Sequence, residues 1–146
     1  MSKLFGRFPD NRVSAGLFVM RLVAGIALIL HGWPKIGRGM TSWMRDDSGV
    51  PGWLQFLAVF SEVGGGAALI LGLLTPIASF GVLCTMAYAT FTHIQRGDPF
   101  VGSGGSYEKA AMLLTVAVLM ISAGPGKFSL DYLFFGRRRE AAYSEA

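Results

Sequence analysis

The chain has 146 residues, of which 52% are hydrophobic and 15% charged, with a formal net charge of +4. About 25% charge is usual in a soluble domain, so this composition excludes a disordered chain, a coiled coil, a disulfide scaffold and a multidomain enzyme. The basic residues gather toward the termini rather than in a stripe, which argues against nucleic acid as a partner and for a lipid bilayer.

The first apolar segment runs from about Val13 to Trp33 with one formal charge, Arg21. About 20 helical residues cross a ~30 Å hydrocarbon layer, so this length predicts a membrane span. His31-Gly32-Trp33-Pro34-Lys35 follows where a signal peptide would show a small-residue cleavage site, so a cleaved leader is a poor reading of this segment. The second charge-poor stretch is too long for one helix, because Val63 to Thr92 carries no formal charge over 30 residues. Leu74-Thr75-Pro76 is the predicted break, since proline lacks an N–H and displaces the preceding residue from helical geometry. Two spans follow, 53–74 and 77–95. The fourth covers 107–123 and ends at Gly124-Pro125-Gly126. Beyond it, Ser129 is positioned to cap a short interfacial helix bearing Leu130, Leu133 and Phe134, with Arg137, Arg138 and Arg139 near anionic headgroups. A disordered basic tail is the alternative. The expected fold is all-α: one transmembrane four-helix bundle, residues 1–146, with a short C-terminal interfacial helix.

Four spans place both termini on one side of the membrane. The tails hold seven Lys and Arg (Lys3, Arg7, Arg12, Lys127, Arg137, Arg138, Arg139) and the opposite loops four (Lys35, Arg38, Arg45, Arg96). The positive-inside rule makes both termini cytoplasmic. Trp33, Trp43 and Trp53 then form an aromatic belt at the other interface, and Phe128, Tyr132, Phe134 and Phe135 its inner counterpart.

Ionisable side chains inside a membrane usually face the bundle and find partners. Arg21 lies about 12 Å from the tail-side end of the first span and Glu62 about 15 Å from the opposite end of the second. In a ~30 Å core these depths nearly coincide, which predicts a buried Arg21–Glu62 pair. Such a pair either fixes helix register or floors a ligand site. His31, His93 and Glu108 share a depth at the opposite end, with Lys35 one turn beyond His31. With Tyr88, Tyr107 and Lys109 they outline a polar mouth to the bundle; the alternative is separate interfacial side chains reaching for headgroups. A bis-histidine haem on His31 and His93 is disfavoured, because both lie near the membrane surface and nothing else in the sequence asks for haem. Cys84 is the single cysteine, so no CxxC centre or cysteine-rich metal site forms, and no metal is expected. Gly64-Gly65-Gly66, Gly72, Gly16 and Gly25 read as close helix contacts. A phosphate-cradling glycine loop would need a preceding strand.

Arg21-Leu22 followed by His31-Gly32-Trp33-Pro34-Lys35-Ile36 resembles the RL…HG..K signature of the DoxX family. Glu62-Val63-Gly64-Gly65-Gly66…Leu69…Leu71-Gly72-Leu73…Thr75 is similar to its E.GG…L.LGL.T segment. His93, Gly105-Ser106-Tyr107-Glu108 and Gly124-Pro125-Gly126…Ser129-Leu130-Asp131 resemble its later motifs. The resemblance runs from about Val13 to Asp131. It implies a four-helix bacterial inner-membrane protein linked with membrane oxidoreductase systems, including a quinone-reducing thiosulfate dehydrogenase subunit and complexes concerned with thiol and oxidative stress. Family proteins support the fold better than any reaction.

On this reading the chain is a membrane subunit of a quinone-linked oxidoreductase. His31, Glu62, His93 and Glu108 are the candidate proton-handling groups, and Arg21, Lys35, Tyr88 and Tyr107 the candidate cofactor contacts. Quinone is the implied cofactor, and partner subunits carrying redox centres would supply electrons. Self-association stays open. The rival reading is a non-catalytic accessory subunit that docks a larger complex in the bilayer. A transporter or proton path ranks below both, since the inner third offers little polarity below Arg21.

Overall fold

In the computed structural model, residues 9–45 and 48–136 are described. Lys3, Arg7 and Arg137–Arg139, on which the predicted orientation partly rests, lie outside them. Four helices occur in chain order: α1 Asn11–Gly37, α2 Gly52–Leu71, α3 Thr75–Gln95 and α4 Glu108–Ala123. No strand occurs among the described residues. The chain folds as the expected all-α bundle, in which α2 packs on α1 and α3, α3 on α4, and α1 touches α4 only lightly. Helices α1, α2 and α3 are long and apolar enough to cross a membrane. Helix α4 is shorter, at 16 residues.

Leu17, Leu28, Leu69, Val82, Met86, Ala117 and Met120 form the buried core. Val23, Phe60, Ile77, Phe80 and Met112 remain exposed on the outside, as a lipid-facing surface requires. Backbone contact sets the α1–α2 register. A Cβ on Gly25 would stand 2.6 Å from the Gly66 carbonyl oxygen, and one on Gly66 would stand 2.8 Å from that of Gly25. Only glycine permits this crossing, and such small-residue contacts are a main source of helix association in lipid.

Helix α1 continues four residues beyond the expected end at Trp33, through Pro34 to Gly37. Helix α2 stops at Leu71, where Gly72 adopts a left-handed C-cap with φ 63°. Pro76 then stands in the first turn of α3, where its missing N–H is harmless. The predicted break therefore sits at 72–74.

The two ends of the bundle are built differently. At the end where the described chain begins and finishes (the terminal end), Arg21 is fully buried. Its Nη1 donates to the Leu69 carbonyl at 2.9 Å and that of Ile70 at 3.4 Å, and its Nη2 donates to the Phe128 carbonyl at 2.5 Å. A cation thus serves the C-terminal carbonyls of α2, where Leu69 also accepts the Gly72 N–H at 3.1 Å, and sits at the favourable end of the helix dipole. Across the α2–α3 turn, the buried carboxylate of Asp131 accepts the N–H groups of Leu74 at 2.7 Å and Thr75 at 2.8 Å. It does for α3 what a local N-cap side chain does elsewhere, because Leu74 cannot.

Arg21 and Glu62 do not form the expected pair. With Gly25 opposite Gly66, Arg21 faces Leu69 and Ile70, about 10–12 Å along α2 from Glu62. Depth counted from approximate helix ends cannot resolve two turns of register. The residues after the Gly-Pro-Gly turn form a helical turn that closes as a π-helix at Tyr132–Gly136. Ser129 Oγ accepts the Tyr132 N–H at 3.1 Å, as its expected capping role requires. Asp131 and the Asp131 N–H bond to the Gly72 carbonyl (2.8 Å) tie this turn into the bundle, while Leu133 and Phe134 stay exposed.

Candidate functional site

The opposite end carries the α1–α2 and α3–α4 loops (the loop end), and His31, Lys35, Glu62, His93 and Asp98 lie there. Glu62 is 1% exposed, and both its oxygens accept from Lys35 Nζ, at 2.6 and 2.7 Å. The α1 extension past Trp33 makes this possible, since it carries Lys35 out over Glu62. Lys35 Nζ also lies 4.3 Å from the centre of the Trp43 ring, so the cation is held between a carboxylate and an aromatic face.

Trp43 is fixed in turn by Gln55. The indole Nε1 donates to the Gln55 carbonyl at 3.2 Å, Gln55 Oε1 accepts the Met44 N–H at 2.9 Å, and Gln55 Nε2 donates to the Val50 carbonyl at 2.9 Å. A buried polar side chain in the first turn of α2 thereby laces the α1–α2 loop over the bundle. Trp33 and Trp53 project outward at 64% and 63% exposure, as interfacial aromatic residues do.

On α3, His93 Nδ1 stands 2.7 Å from Asp98 Oδ2. A carboxylate only accepts, so Nδ1 is the protonated nitrogen and Nε2 of a neutral ring keeps its lone pair. His31 is exposed on α1, and Lys35, Glu62, Lys109 and His93 all lie within electrostatic range of it. The loop end therefore gathers two imidazoles, one of them paired with Asp98, and a buried ion pair, drawn from three helices and a loop.

The structure brings together His31, Lys35, Glu62 and His93 from the predicted set and leaves the others apart. Arg21 belongs to the terminal end. Tyr88 is 52% exposed, because five helical residues separate it from His93 by about 140° around α3. Tyr107 packs edge-on against Phe100, with ring centres 5.2 Å apart. Glu108 opens α4, its N–H donating to the Phe100 carbonyl at 3.0 Å, and its carboxylate has no partner among the described residues. An acid there suits the positive end of the helix dipole.

Sequence reasoning missed Asp98, Gln55 and Asp131. Asp98 follows His93 by five residues across a Gly97 turn with φ 76°, a spacing that could have suggested the contact. Asp131 had a clearer signal: Leu74 cannot cap, so a helix starting at Thr75 needs an acceptor from elsewhere.

Residues 16–95 match the DoxX family. The chain is also similar to the "Inner membrane protein YqjF" of Escherichia coli, at 31% identity over 121 residues covering 81% of this chain and 91% of the relative. An "Uncharacterized protein" of Haemophilus influenzae is likewise 31% identical, over 82% of this chain and 90% of its own length. No solved structure matches. The match covers Arg21, Gly25, Lys35, Glu62, Gly66 and His93, the residues that set the bundle's register and build its loop-end site, and the chain is a member of the DoxX family of membrane proteins.

Proposed function

We propose that the protein is the membrane subunit of a quinone-linked oxidoreductase system in the bacterial inner membrane, with both termini cytoplasmic, and that the loop-end cluster receives the quinone head. The convergence of His31, Lys35, Glu62 and His93 at one end of an otherwise apolar bundle carries this reading. A quinone carbonyl needs a hydrogen-bond donor and a nearby proton-exchanging group, and this donor set fits. When bound, a quinone supplies two-electron, two-proton acceptor chemistry, with electrons delivered by a partner subunit.

The chain's own groups divide the remaining work. Asp98 holds the His93 ring in one tautomer and one orientation. Lys35 and Glu62 neutralise each other, so the cluster can lie near hydrocarbon without a bare charge. His31, exposed beside them, contributes an imidazole that can donate or accept.

The test uses purified protein in nanodiscs and a short-chain ubiquinone analogue. Binding should weaken about tenfold in His93→Ala, the loss of roughly one charge-assisted hydrogen bond, and less in Asp98→Asn, with melting temperatures unchanged. Unaltered binding in His93→Ala and His31→Ala would contradict the proposal. The complete internal pairing of Lys35 with Glu62 favours one rival, a non-catalytic docking subunit. That rival predicts no quinone binding and a stoichiometric partner on gentle purification.

A further inference from the structure

Beyond the histidine cluster, the loop end contains a 590 Å³ cavity lined by Arg38, Trp43, Met44, Arg45, Ser48 and Arg96. Its three cations arrive from separate places. Arg38 is the C-cap of α1 and Arg96 the C-cap of α3, two helices that run in the same direction and so end on the same face. Arg45 comes from the loop between α1 and α2. A basic residue at either helix C-terminus alone would be explained by the helix dipole. Convergence of both on one cavity, joined by a loop arginine, is not.

The guanidinium groups of Arg38 and Arg96 have no partner among the described residues, and none of the described residues that line the cavity is acidic. Like charges facing one space repel, and an anion between them removes that repulsion. The guanidinium fork matches tetrahedral oxyanions, donating two parallel hydrogen bonds to phosphate oxygens. Ser48 adds a hydroxyl, and the Gln55 lacing described above holds the Trp43 wall in place.

Depth narrows the ligand further. Arg38 lies five residues beyond the interfacial Trp33, about 7 Å along the helix axis. The headgroup region extends about 5–7 Å beyond the hydrocarbon on each side. The arginines therefore stand at the level of lipid phosphates. We infer that this cavity is a binding site for a phosphate group, presented either on an anionic phospholipid headgroup or as a free phosphate.

Trp43 lines the cavity and supplies the readout. In a Trp33→Phe/Trp53→Phe background it is the single remaining tryptophan. Its emission is followed in two arms: titration with inorganic phosphate in neutral detergent, and reconstitution into phosphatidylcholine nanodiscs with and without phosphatidylglycerol. A saturable change with phosphate identifies a free oxyanion, and a change confined to phosphatidylglycerol discs identifies the lipid headgroup. In either case the response should weaken about tenfold or more in Arg38→Gln/Arg96→Gln. It should weaken less in Arg38→Lys/Arg96→Lys, which keeps the charge without the fork and guards against a folding defect. No response in either arm, or an equal response in the arginine-to-glutamine chain, overturns the inference.

Discussion

The two ends of this bundle use buried charge for different purposes. At the terminal end, Arg21 and Asp131 are directed at backbone: one serves carbonyls at the end of α2, the other N–H groups at the start of α3. At the loop end, Lys35 and Glu62 bind each other, His93 binds Asp98, and His31 stays exposed. A charge committed to helix termini is held by backbone, and Arg21 keeps only its buried Nε–H without a partner among the described residues. A charge paired with another side chain can exchange partners. An ionisable residue in a membrane is a functional candidate by default, and its partner decides whether the default survives.

Removing Arg21 should produce the largest effect. Arg21→Met leaves three carbonyl contacts and the nearby Asp131 charge uncompensated, and should cost about 3–5 kcal/mol of stability, read as detergent unfolding by heat or SDS. A neutral outcome would break the contrast between the ends. Lys35→Met should cost about 3 kcal/mol because it strands buried Glu62. The double variant Lys35→Met/Glu62→Met should recover most of that stability, since replacing both members of a buried pair by apolar groups is often near neutral. Its quinone binding should nevertheless stay impaired, which separates the pair's two roles.

Asp131→Ala comes next, at about 2–3 kcal/mol, because two buried N–H groups lose a charged acceptor. Gly66→Ala forces α1 and α2 apart at the Gly25 crossing and should cost about 1–3 kcal/mol, with the displacement felt at both ends. Leu74→Gly should give the smallest change, a gain of roughly 0.5 kcal/mol. Leu74 has φ 47° and is 45% exposed, so relief of a left-handed conformation slightly outweighs the added freedom of the unfolded chain.

Hydropathy made the bundle legible. The break near Thr75-Pro76 and the ends of the third and fourth spans lie within about two residues of expectation, because apolar length and proline chemistry are local properties. Register is not local. It depends on the backbone contact between Gly25 and Gly66, and a glycine announces closeness without naming its partner. Depth alone therefore points Arg21 to Glu62, two helical turns away from the carbonyls it serves. The same gap hid Asp131, whose role depends on a fold-back of more than fifty residues. At the loop end, shared depth is the signal that joins His31 and His93, and Lys35 follows because it lies one turn beyond His31; Glu108 has the same depth signal. Tyr88 stands apart because it lies about 7 Å along α3 from His93 and about 140° around the helix.

The central claim is that ligand chemistry belongs to the loop end and the terminal end serves only the fold. It is tested most directly by quinone titration of His93→Ala and Asp131→Asn side by side, each corrected for its folded fraction. The account predicts that His93→Ala loses affinity while melting normally, and that Asp131→Asn melts lower while its folded fraction binds normally. Normal binding in His93→Ala, or weakened binding in folded Asp131→Asn, would contradict it.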